Sequence, residues 1–155
     1  MTQALVGIVY GSPSDKDKMG HAAATLQRFG VEYEMEAMSA HRSPERVREY
    51  ASKAEDRGVQ VLICGAGRAA HLAGVVAAHT SLPVIGVPLS GGVMDGMDAL
   101  LSTVQMPSGV PVATVGIDAA ANAGVLAVQI LAATDDELRK KLGEFKDQLA
   151  EGLRL

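Results

Sequence analysis

A chain of 155 residues, 48% of them apolar but only 3% aromatic, is enough for one domain whose core is filled by Ala, Val, Leu, Ile and Met. Its formal net charge of −4 offers no basic face for nucleic acid. Cys64 is the single cysteine, which excludes an intrachain disulfide, and no run reaches the roughly 18 apolar residues of a membrane span. With no charged and apolar leader at the N-terminus, a soluble cytoplasmic protein is expected.

Ala4 to Tyr10 is almost wholly apolar and reads as a strand covered on both faces. Gly11-Ser12-Pro13-Ser14-Asp15 is a loop, and Ser14 with Asp17 three residues later resembles a capping box, so a helix is predicted to start there. Met19, Ala22, Ala23, Leu26 and Phe29 recur at helical spacing until Gly30 closes the segment. Val31 to Met38 is a second strand. It leads into Ser39-Ala40-His41-Arg42-Ser43-Pro44, where Ser43 and Pro44 read as the N-cap and first position of a helix. That helix carries Val47, Tyr50, Ala51 and Ala54 on one face and is expected to end at Gly58.

Val59 to Cys64 reads as a third strand, and a helix is predicted to begin inside Gly65-Ala66-Gly67-Arg68-Ala69-Ala70-His71-Leu72-Ala73-Gly74 and run to about His79. Leu82 to Val87 is a fourth strand, entered through Pro83 and left through Pro88. Ser90-Gly91-Gly92 reads as a flexible connection and Met94 to Val104 as a helix. Pro111 to Ile117 is a fifth strand, and Ala119 to Ala132 a buried, alanine-rich helix. Strands alternating with helices predict an α/β fold over 1–155, a three-layer αβα sandwich around a parallel, flavodoxin-like sheet. Thr134-Asp135-Asp136-Glu137 reads as a capping-box start for a last helix over 134–151. Its apolar stripe of Leu138, Leu142, Phe145 and Leu149 follows a complete α/β unit, so it is expected to pack on a neighbouring subunit.

In a parallel sheet the loops after the first three strands lie along one edge, where open α/β sheets bind ligands. The first brings Ser12, Ser14 and Asp15; hydroxyls and a helix start suit phosphate, and a carboxylate suits sugar hydroxyls. The second brings an imidazole, His41, beside a fixed cation, Arg42. The third brings glycines through which a ligand can reach backbone amides. Together they describe a pocket for a small phosphorylated, sugar-like molecule with a proton-transfer residue. Simpler roles compete. Ser14 and Asp15 can be helix caps, Arg42 can pair with Glu45 or Glu36, and His71 can cap or pack. Cys64 reads as core, and His21 and His79 as helix surface. The four histidines lack HxH or HExxH spacing, so no metal site is expected. The glycines of 65–74 do not fit the dinucleotide fingerprint.

Six ordered blocks cover nearly the whole chain: GSPSD at 11–15, SAHRSP at 39–44, GAGRAAHLAG at 65–74, VIGVP at 84–88, QMPSGVPVATV at 105–115 and AANAGVLAVQIL at 120–131. Together they resemble the PurE family of purine biosynthesis, whose members act on carboxylated aminoimidazole ribonucleotides. Arg42, Ala69-Ala70-His71-Leu72 and QMPSG resemble the class I branch, the N5-carboxyaminoimidazole ribonucleotide mutases. Lys16, Arg68 and Ala73 depart from it, where class I usually has Trp, Gly and Pro.

The resemblance implies a cofactor-free homo-octamer that converts N5-carboxyaminoimidazole ribonucleotide to the 4-carboxy isomer by losing and recapturing CO2. It implies Ser12, Ser14 and Arg42 on the phosphate, supported by Ser39, with Asp15 on the ribose hydroxyls. Gly67, Arg68, Ala69 and Leu72 would wall the imidazole and carboxylate, with His71 close to the reacting groups and His41 moving the C4 proton. Two other readings stay open: a class II carboxylase using CO2 directly, motivated by Arg68, and a catalytically silent nucleotide-binding module, against which His41 counts.

Overall fold

The computed structural model describes residues 3–155; Met1 and Thr2, which the single-domain and leader expectations include, lie outside the described residues. Five parallel strands form one sheet: β1 (Val6–Tyr10), β2 (Tyr33–Ala37), β3 (Val61–Gly67), β4 (Val84–Leu89) and β5 (Ala113–Thr114). Their order is β2-β1-β3-β4-β5, the flavodoxin-like order, with its topological switch between β1 and β3. The connecting helices are α1 (Lys16–Phe29), α2 (Pro44–Ser52), α3 (Leu72–Ala78), α4 (Met97–Val104) and α5 (Ala120–Leu131), and α6 (Asp136–Ala150) closes the chain.

Strand alternation sorts the core into two layers. Val6, Ile8, Val61, Ile63, Ile85 and Val87 face α1, α5 and α6, whereas Val9, Leu62, Cys64 and Val84 face α2 and α3. β1, β3 and β4 are apolar throughout because both faces are covered. Helices α1 and α5 pack closely at Gly124. A Cβ on Gly124 would lie 2.8 Å from Thr25 Cβ and 2.9 Å from the Ala22 carbonyl oxygen, so only glycine allows this approach. Gly124→Val is expected to destabilise the fold by about 1–3 kcal/mol, read as a lower denaturant midpoint.

Several element ends differ from those predicted. β3 runs on to Gly67 because β4 keeps pairing with it, Ala66 opposite Pro88 and Gly67 opposite Leu89. Pro88 lies inside β4 rather than ending it; β5 pairs only with Ile85 and Gly86, so the missing N–H costs no ladder bond there. β5 is correspondingly short. α2 stops at Ser52, and a 3-10 turn over Glu55–Arg57 carries the chain to Gly58 at φ +88°. α4 begins at Met97, after Met94 and Asp95 take left-handed conformations that no helix continues through.

Both expected capping boxes shift. Pro13 presets the first turn, so Ser12 is the cap of a 3-10 turn over Pro13–Asp15, and Ser14 lies inside it. At α6 the cap is Asp135, whose carboxylate accepts from the Leu138 amide at 2.9 Å.

The apolar stripe of α6 closes on its own chain. Leu138 and Phe145 are buried in the α1–α5 layer, with Leu142 and Leu149 partly buried beside them. Phe29 and Phe145 meet edge to face at 5.2 Å, and Lys141 Nζ donates to the Phe29 carbonyl at 3.0 Å at the end of α1. Amphipathicity showed that the helix needed a surface, and Leu138 and Phe145 find one on α1 and α5 of the same chain.

Candidate active site

All three anticipated loops meet in one open cleft of about 540 Å³ at the carboxyl edge of the sheet, over the β1/β3 switch point. Every anticipated site residue lines it: Ser12, Ser14 and Asp15 after β1, Ser39, His41 and Arg42 after β2, and Gly67, Arg68, Ala69, His71 and Leu72 after β3. Lys16, by contrast, is an exposed residue outside the lining.

After β1, the Ser12 and Ser14 hydroxyls are 2.9 Å apart, and Ser12 Oγ also accepts from the Ser14 amide. With Pro13 opening the turn, Ser14 does no capping. Asp15 is half-buried between this turn and Lys18. Burial pushes its carboxyl above its ordinary value, against the opposing pull of Lys18 and Arg42.

The second loop is folded by its own serines. Ser43 Oγ donates to the Ser39 carbonyl at 3.0 Å instead of capping α2, and the Ser43 amide donates to that same oxygen at 2.8 Å. Ser39 Oγ accepts from the Arg42 amide at 3.2 Å, so its first duty is to hold the backbone of Arg42. The Arg42 guanidinium reaches across to β1 and donates to the Gly11 carbonyl at 2.8 Å. It pairs with neither Glu36 nor Glu45, which are taken by Arg46 and Arg48. One N–H thus fixes the fork of a residue that lines the cleft.

His41 and His71 come together from different loops. His41 Nε2 lies 2.7 Å from His71 Nδ1, with the rings edge to face and their centroids 4.8 Å apart. His71 makes no capping bond at the start of α3. One facing nitrogen donates and the other accepts, with the tautomer setting which, so the contact joins the two rings by one hydrogen bond. Cys64 is buried in β3, where burial pushes its thiol up and keeps it from acting as a nucleophile.

Arg68 takes φ +55°, a left-handed conformation that costs a side-chain-bearing residue roughly 1–2 kcal/mol. Its exposed side chain lines the cleft.

A fourth loop was missed. Ser90 and Gly91, after β4, also line the cleft. They are not a loose connection. Lys18 Nζ donates to Ser90 Oγ at 2.7 Å and pairs with Asp118 at 3.3 Å, while Asp118 accepts from the Ser90 amide at 2.9 Å and from its hydroxyl. Burial raises the Asp118 carboxyl, but the Ser90 bonds and Lys18 outweigh it and hold it below its ordinary value. The signal available in the sequence was position alone: this loop follows a parallel strand at the same sheet edge.

A cleft at the switch point of a parallel sheet, with an anchored arginine, paired hydroxyls and an imidazole pair, defines an α/β enzyme site built for a small anionic ligand and proton transfer. The chain belongs to the AIR carboxylase family, which it matches over residues 5–152. It is 54% identical over 144 residues to the N5-carboxyaminoimidazole ribonucleotide mutase of Pyrococcus abyssi, covering 93% of this chain and 83% of that protein. The mutase of the same name from Bacillus subtilis is 54% identical over 147 residues, covering 94% and 91%. Among solved structures, Treponema denticola PurE superposes with a TM-score of 0.87 at 31% identity, over 96% of this chain and 93% of that one.

Proposed function

We propose that the protein is an N5-carboxyaminoimidazole ribonucleotide mutase of de novo purine biosynthesis, moving a carboxylate from N5 to C4 of the imidazole through CO2 held in the cleft. The observation that carries this reading is the His41–His71 pair, which lines one cleft with Arg42 and the two serine hydroxyls. The family membership and the similarity to mutases support it.

Arg42, with one N–H anchored on Gly11, offers its remaining donors to the phosphate, joined by Ser12 and Ser14; Ser39 keeps Arg42 in place. Asp15 accepts from the ribose hydroxyls. Gly67, Arg68, Ala69 and Leu72 wall the base, and apolar members of that wall favour neutral CO2 over the charged carbamate.

The protons balance within the histidine pair. Breaking the N5–carboxyl bond releases CO2 and leaves nitrogen needing a proton. Forming the C4–carboxyl bond leaves a C4 proton that must depart to restore aromaticity. His41, backed by His71, lends the first and withdraws the second, so the isomerisation is proton-neutral and its steps require no metal or organic cofactor.

Asp15→Asn separates this role from stability. Its folded pKa lies above the unfolded one, so the carboxylate weakens the fold at neutral pH, and that effect fades as pH falls through the folded value. The variant is expected to melt at the same or a higher temperature while kcat/KM falls about 100-fold. A lower melting temperature with activity retained contradicts this.

The protein acts as a cytoplasmic homo-octamer. No helix is long and apolar enough to cross a membrane among the described residues. The support for association is the exposed apolar surface of Val93, Met94, Leu101 and Val104 around α4, rather than the stripe of α6.

Two assays test the reaction. Purified protein is given N5-carboxyaminoimidazole ribonucleotide in one, and aminoimidazole ribonucleotide with bicarbonate in the other. Turnover of the first substrate is expected; turnover only in the second makes the protein a direct carboxylase. Turnover in neither, with nucleotide bound, makes it a silent binding module.

A further inference from the structure

Most arginines of this chain answer to an anion or a carbonyl. Arg46, Arg48, Arg57 and Arg139 pair with carboxylates, and Arg42 is tied to Gly11. No side chain or carbonyl among the described residues accepts from the Arg68 guanidinium, although its side chain lines the cleft. Its backbone is also strained, at φ +55°, in a place where glycine would be at ease. A long cation held in a left-handed conformation, without a partner and at a ligand cleft, has the form of a side chain kept for what it binds.

Its position indicates which end of the ligand that is. Arg42 follows β2 and Arg68 follows β3, strands about two spacings, ~10 Å, apart with β1 between them, and their loops meet at the His41–His71 contact. Arg42 directly follows His41, but its guanidinium is turned to Gly11 beside the serine loop, whereas Arg68, three residues before His71, has no such anchor, so the two cations suit different groups of one ligand.

We propose that Arg68 is a carboxylate clamp: its guanidinium holds the migrating carboxylate beside the histidine pair and makes the cleft prefer carboxylated nucleotides over aminoimidazole ribonucleotide. The proposal rests on the mutase reading above and adds a specificity residue to it. A planar fork matches a carboxylate in two hydrogen bonds, which a lysine ammonium does not reproduce.

The test is a set of binding titrations and steady-state assays on wild type, Arg68→Gly and Arg68→Lys. Glycine accepts the left-handed backbone, so the first variant keeps the fold, checked by an unchanged or higher melting temperature. Arg68→Gly is expected to weaken 4-carboxyaminoimidazole ribonucleotide by about 10- to 100-fold, leave aminoimidazole ribonucleotide within about 2-fold, and raise KM more than it lowers kcat. Arg68→Lys should fall between. Equal weakening of both nucleotides, or no weakening of either, overturns the clamp while leaving the mutase reading standing. If wild type binds neither nucleotide, the mutase reading fails and the clamp with it.

Discussion

His41→Asn is expected to lower turnover by about 10²–10⁴-fold while nucleotide affinity stays within a few-fold of wild type. Asparagine preserves a hydrogen-bonding group of similar size but cannot exchange a proton near neutrality. The His41–His71 contact of 2.7 Å makes the loss specific. His71 would remain in the cleft with no ring to pass its proton to, so both the proton lent to N5 and the one withdrawn from C4 lose their carrier. Arg42, Ser12 and Ser14 are untouched, and the phosphate end should bind as before. Turnover by His41→Asn and wild type, compared under saturating nucleotide, checks this; unchanged kcat removes His41 from the chemistry. A parallel fall in affinity assigns it to binding instead.

Phe145→Ala should have the largest effect on stability, about 3–5 kcal/mol, because a buried aromatic is removed and the gap between α1, α5 and α6 can collapse only in part. For a chain of this size that is a drop of roughly 6–20 °C in melting temperature. Phe145 meets Phe29 edge to face, and Arg28 lies over its ring at 5.8 Å, so the loss falls within one subunit. The expected signature is a lower melting temperature at all protein concentrations. An unchanged melting temperature with a smaller particle on sizing would instead place α6 between subunits.

Much of the site was legible because parallel strands bring their carboxyl ends to one edge. The GSPSD, SAHRSP and GAGRAAHLAG loops could be placed together from strand order in the chain alone. What sequence did not reveal were pairings set by distant residues. Ser90 and Gly91 read as a flexible connection because their order comes from Lys18, 72 residues away, and Asp118, 28 residues away. The His41–His71 contact spans 30 residues and follows from β1 lying between the two loops' strands. Ser14 was read as a cap because a Ser-x-x-Asp spacing is local, while Pro13 starts the turn one place earlier. The stripe on α6 announced an apolar surface, but no periodicity says whose surface it covers. β3 outran its apolar run because Ala66 and Gly67 are held by β4 rather than by their own propensity.

The most direct measurement follows the carboxyl carbon. N5-carboxyaminoimidazole ribonucleotide labelled with ¹³C at the carboxylate is turned over once in unlabelled bicarbonate, and the 4-carboxy product is analysed. Transfer within the cleft predicts that most of the product keeps the label. Product carrying the isotopic composition of the bicarbonate pool would contradict it, because the carboxylate would then have come from solution.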